Sequence, residues 1–188
     1  MTLWVKMQKG KLLLLLLAFA GFTARAQTDL ESMSRAVEYF QSGKYHEALL
    51  LFERLGRHYR LNPRFKAYTG VCYFYEKDYA KTVETFDSVM PQLGMFAPHE
   101  RSVYYYCAAE SNYRQKRYVE AIGLFEKQLL LCYDNEKGDA LLRIGMCYRL
   151  LGKTPNAQEY LVEALAYYRK YNDEYKLVRV EKEMKMLG

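Results

Sequence analysis

One pattern recurs along this chain and leaves few folds open to it. An aromatic residue is followed three positions on by a small one, and four further on by an aromatic or large aliphatic one. The copies are Tyr45, Ala48, Phe52; Tyr79, Thr82, Phe86; Tyr118, Ala121, Phe125; and a worn Thr154, Ala157, Leu161. Steps of three and four place all three side chains on one face of an α-helix. The starts lie 34, 39 and 36 residues apart, the length of a two-helix unit repeated along the chain.

The stretches between the copies read as the partner helices. Leu30, Met33, Val37 and Phe40 follow helical spacing, and Gly43 stops that helix because glycine accepts the left-handed conformation of a C-cap. A second helix is predicted over about 45–59. Asn62-Pro63 reads as cap and first residue of a third, since proline lacks only a donor that is unpaired there anyway. The fourth, from Tyr79, stops near Pro91. Asn172-Asp173 opens a last helix over 173–187. Its apolar Leu177, Val178, Val180, Met184 and Leu187 would close the stack, with Lys176, Arg179 and Glu183 among its solvating residues.

Small residues mark where the helices of a pair cross. Ala36, Gly70, Ala109 and Gly145 share one site on the first helices, and Tyr39, Tyr73 and Tyr148 an aromatic site three residues on. The set resembles the tetratricopeptide repeat over about residues 29–171. It departs from that family at the tryptophan site (Ser32, Lys66, Tyr105, Leu141). The closing small residue survives only as Ala164, replaced elsewhere by Leu55, Val89 and Gln128. The resemblance implies an all-α, right-handed α-solenoid of about four hairpins, at 29–62, 63–96, 102–135 and 138–171, plus the capping helix. It also implies a concave groove lined by first helices. Its candidate residues are Phe40, Arg64, Val71, Phe74, Tyr75, Tyr106, Glu110, Tyr113, Arg114, Met146 and Arg149, with Arg64, Arg114 and Arg149 as anchors for acidic groups. The family's carboxylate clamp is missing: its asparagine sites hold Val37, Val71, Glu110 and Met146.

Residues 91–101 lengthen one connection and are bounded by Pro91 and Pro98. They read as a loop that folds Met95 and Phe96 onto the helices.

The formal charge of +6 invites a nucleic-acid reading, but its distribution opposes one. Residues 1–26 hold four of the 28 basic side chains and no acid, leaving 24 against 22 in the rest. A nearly neutral domain has no strong pull on phosphates. Those first residues read as an export signal. Lys6, Lys9 and Lys11 precede an apolar run from Leu12 to Phe22, and Ala24-Arg25-Ala26 forms an A-x-A cleavage site. The run is shorter than the roughly 20 residues that span a bilayer. The expected mature domain is therefore 27–188, without stable membrane insertion, in the periplasm or envelope of a bacterium.

Cys72, Cys107, Cys132 and Cys147 form no C-x-x-C or zinc spacing. They read first as buried thiols, with a Cys72–Cys107 bridge as the alternative. No G-x-S-x-G, phosphate loop or H-E-x-x-H occurs, and His46, His58 and His99 sit apart with no evident acid beside them. The reading is a non-catalytic scaffold, without cofactor or metal, that binds a protein or peptide in its groove. The alternative is a small-ligand or glycan sensor using the groove's aromatics.

Overall fold

The structure is a computed structural model that describes residues 28–187. The expected export signal lies outside the described residues. All regular structure among them is helical, in an α-solenoid plan of helix hairpins. The chain divides into two compact units, one ending at Arg60 and one beginning at Leu61.

The first unit holds α1, residues 28–41, and α2, Tyr45–Gly56. Gly43, at φ 72°, makes the turn between them, a conformation only glycine adopts without strain. Ala36, Ala48 and Phe52 are fully buried. Arg54 donates to Ser32 across the pair, and Tyr59 donates to Asp29.

The second unit begins with α3, Pro63–Tyr75, where the Asn62 side chain accepts from the backbone N–H of Phe65 at 3.0 Å. Six further helices follow: α4, Tyr79–Val89; α5, Pro98–Arg114; α6, Tyr118–Leu129; α7, Lys137–Leu150; α8, Thr154–Lys170; and α9, Glu174–Lys185. Each first helix packs on its second, and α4 with α5, α6 with α7, and α8 with α9 continue the stack.

The small sites do what their spacing predicts. A Cβ on Gly145 would stand 2.8 Å from Cγ of Leu161, and one on Gly70 would stand 3.0 Å from the Phe86 ring. The first would force Leu161 to shift and the second would press the Phe86 ring aside, so the missing side chain at these positions eases the approach of the helices. Thr82 serves the same purpose by donating its hydroxyl to the carbonyl of Asp78, at no exposure. Phe86, Phe125 and Leu161 are fully buried and fill the space around the crossings.

Two expectations need correction. The connection after α4 is not a plain loop: Met90–Met95 form a 3-10 helix that buries Leu93. Phe96 does fold inward, edge-on to Tyr104 at 5.8 Å, but Met95 stays exposed. On α9, Val180 is fully buried while Val178 faces solvent, because the two are 200° apart on a helix. Glu183, expected to be solvating, is instead buried against Arg149.

Candidate functional site

The first helices of the second unit, α3, α5 and α7, together with α9, line a cavity of about 450 Å³. Tyr75 comes from α3. Ser102, Val103 and Tyr106 come from α5, and Asp139, Leu142 and Arg143 from α7. Lys176 and Arg179 of α9 complete the rim, and Gln128 reaches it from the end of α6. The cavity lies where the backbones of α3 and α5 approach closely while those of α5 and α7 stay apart, bridged by the Glu110–Arg143 pair.

Of the residues expected in a groove, Tyr75 and Tyr106 line this cavity. Phe74 holds them in place, edge-on to Tyr75 at 5.4 Å and to Tyr106 at 5.7 Å. Val71 and Met146 are buried packing residues rather than groove-facing ones. Phe40 belongs to the first unit, where its ring meets Tyr45 edge-on. The expected window sits about two helical turns too far along α5 and α7, so that it names Glu110 and Arg149 where the wall is Val103, Asp139 and Arg143.

The arginines named as anchors are all engaged inside the chain. Arg64 lies over the Phe96 ring and 3.4 Å from Glu100. Arg114 donates to Glu110 at 2.8 Å. Arg149 donates to Glu183 at 2.9 Å, fastening α9 to α7. Glu110 itself is only 2% exposed and is held from a second side by Arg143, whose Nη2 and Nε lie 2.9 Å from its two oxygens. The guanidinium of Arg143 also covers the Tyr113 ring at 5.1 Å. A buried carboxylate survives only when it is paired this way. Burial, and next the nearby Glu110 charge, raises the Tyr106 phenol above its ordinary value, so it stays a neutral hydroxyl near neutral pH.

Around the rim, Lys176 donates to Asp139 at 2.9 Å, and Asp139 also accepts from Tyr168. Glu136 accepts from the Tyr133 backbone N–H and meets His99 Nε2 at 3.1 Å. His99 is therefore not without an acid, and its ring stacks on Tyr133 at 3.8 Å. Arg179 alone among the cavity's cations has no ion pair among the described residues.

Sequence reasoning missed Arg143, Asp139, Lys176 and Arg179, yet a signal for them exists. Arg143–Glu110, Arg149–Glu183, Lys176–Asp139 and His99–Glu136 are separated by 33, 34, 37 and 37 residues. Each separation is close to one repeat, so opposite charges one repeat apart mark the contacts between successive first helices.

The four thiols are all free and buried. Burial pushes Cys72 and Cys147 up to about 12, so neither is a nucleophile at neutral pH. The Cys72–Cys107 bridge is not formed.

Residues 100–174 match the family model described as the tetratricopeptide repeat. Over that stretch the chain is similar to tetratricopeptide repeats. Solved structures agree on the fold. A MamA structure, AMB-1, is 18% identical, with a TM-score of 0.60 over 74% of this chain and 78% of that one. The apo form of RapI is 14% identical with a TM-score of 0.66, over 83% of this chain but 46% of RapI. A putative kinesin light chain of Podosopora anserina, described as having nearly identical tetratricopeptide-like repeats, is 14% identical with a TM-score of 0.55 over 84% of this chain and 93% of that one. No curated protein gives a significant match. The tetratricopeptide repeat is generally a non-catalytic scaffold fold. No helix among the described residues is long and apolar enough to cross a membrane.

Proposed function

We propose that this protein is an exported bacterial scaffold that binds a peptide segment of another protein along the cavity between α3, α5, α7 and α9. The observation that carries the reading is the composition of that wall. Tyr75 and Tyr106 offer broad amphipathic surfaces, and Arg179 offers a charge that no acid among the described residues neutralises. Tyrosine and arginine are the residue types that dominate binding energy at protein interfaces. A groove of successive first helices suits an extended segment. Export is supported by the basic start, the eleven-residue apolar run and the A-x-A site of residues 1–26. A glycan sensor would use the same two tyrosines, but the charged rim favours a peptide.

The test is capture from envelope extract with tagged protein recovered from the periplasm. We expect mass spectrometry to find Gln27 as its first residue, and a partner held by the wild type to be lost with Y106A/R179E. Identical partners for both proteins would overturn the groove, and a retained residue 1 would overturn the export.

A further inference from the structure

The lining of the cavity carries a polar atom that the fold leaves unpaired. Gln128 is 7% exposed, and its Oε1 is buried without a hydrogen-bond partner among the described residues. A buried acceptor left unpaired destabilises the fold. The equivalent site of the other repeats holds hydrocarbon, Leu55, Val89 or Ala164, and each of these is buried at 2% or less. The carboxamide therefore stands at a packing position that borders the cavity, where the backbones of α5 and α7 stay apart. Packing does not account for it there, because leucine or valine occupies the same position elsewhere in the chain.

The neighbours limit what can answer it. Ser102 also lines the gap, is 2% exposed, and gives its own hydrogen to the His99 carbonyl, which leaves its oxygen able to accept. A carboxylate has no hydrogen to give to these two acceptors, and an ammonium would meet Arg143, Lys176 and Arg179 around the cavity. A neutral group that donates hydrogen bonds suits both acceptors.

We propose that the gap between α5 and α7 is a specificity notch for a primary amide, the side chain of a glutamine or asparagine in the bound segment. Its NH2 donates to Gln128 Oε1 and Ser102 Oγ, while the segment's backbone runs past Tyr75 and Tyr106. The notch rests on the groove reading and adds to it the residue class the groove selects.

The test is an NMR titration of the purified protein with N-acetyl-glutamine methylamide. The glutamate and methionine analogues, which match its shape, and methyl glucoside serve as comparisons. We expect saturable shifts of the Gln128 carboxamide and of the Val103 and Leu142 amides, with about tenfold weaker binding of both amino-acid analogues, the ratio for one buried hydrogen bond. Q128L should abolish the shifts at Val103 and Leu142 and raise Tm. Equal binding of the methionine analogue, no shifts at all, or binding of the glucoside alone would each overturn the amide notch. If capture of the partner is lost with Y106A/R179E but kept by Q128L, the groove stands and the notch falls. If neither variant loses it, both fall. The titration on wild-type protein decides the notch even if Q128L fails to fold.

Discussion

The third hairpin, α5–α6, and the fourth, α7–α8, share one backbone plan and differ in what they bury. The fourth closes over Leu141, Leu142, Met146, Leu161, Ala164 and Tyr168, with Val180 of α9 sealing the end. The third buries Ser102, Glu110, Ser111, Asn112 and Gln128 alongside its apolar residues. Buried polar atoms without a hydrogen-bond partner among the described residues fall on Arg101, Glu110, Asn112 and Gln128, all of the third hairpin, and Glu110 Oε2 meets Arg143 only as an ion pair. The crossing geometry needs only a small residue and a large one, supplied by Ala109, Ala121 and Phe125 in one hairpin and by Gly145, Ala157 and Leu161 in the other. Once those are in place, the remaining positions are free to serve stability or recognition. The fourth hairpin holds the stack together, and the third carries its polar chemistry.

The division can be broken most directly in the fourth hairpin. Leu161 is fully buried against Gly145, in a site that glycine and alanine backbones cannot collapse to fill. L161A should lose about 2–5 kcal/mol in urea unfolding. A loss below about 1 kcal/mol would mean that this hairpin does not hold the core. The third hairpin should respond differently. E110Q keeps the volume but takes the charge from Arg143 and Arg114, and should lose about 1–3 kcal/mol. Replacing the pair together, E110L/R143L, should recover most of that loss, because a buried ion pair can often be exchanged for hydrocarbon at no cost. A double variant worse than E110Q would show that the pair stabilises the third hairpin as hydrocarbon stabilises the fourth.

The same contrast explains what was legible before the structure. Ala121, Gly145 and the buried aromatics announce themselves because the helix crossing repeats and tolerates few side chains. The helix start at Tyr118 follows from the same rhythm, and that at Pro63 from the Asn62 cap before it. The groove was harder. Resemblance located it on the first helices, but the rise of each helix into the cavity depends on how far α5 and α7 splay, which no residue type encodes. Glu110 and Arg149 thus look available in the sequence and are closed in the fold by Arg143 and Glu183. Glu183 lies on a helix whose other charges, Lys176 apart, are exposed, so its burial is visible only once Arg149 is beside it. Gln128 appeared merely as a departure from the family's small residue.

The smallest expected effect separates the hairpins by a single hydroxyl. Tyr168 of α8 donates to Asp139 of α7 at 2.9 Å, tying two helices together, whereas Tyr104 donates to Glu100 at 2.7 Å within α5. Burial first, and next the neighbouring carboxylate, raises both phenols well above the ordinary 10.0. A raised value means the folded state holds the proton more tightly than the unfolded chain. The stability this brings is complete below about pH 10 and is lost as pH rises beyond it. Y168F should therefore cost about 0.5–1.5 kcal/mol at pH 7, and Y104F less, since its bond joins no second helix. Above pH 10 the gap between wild type and Y168F should narrow, because only the wild type has a phenol to ionise. Urea unfolding of the three proteins from pH 7 to pH 11 measures it. A gap that widens with pH, or a larger loss for Y104F than for Y168F, would show that the cross-helix hydroxyl is not what binds α8 to α7.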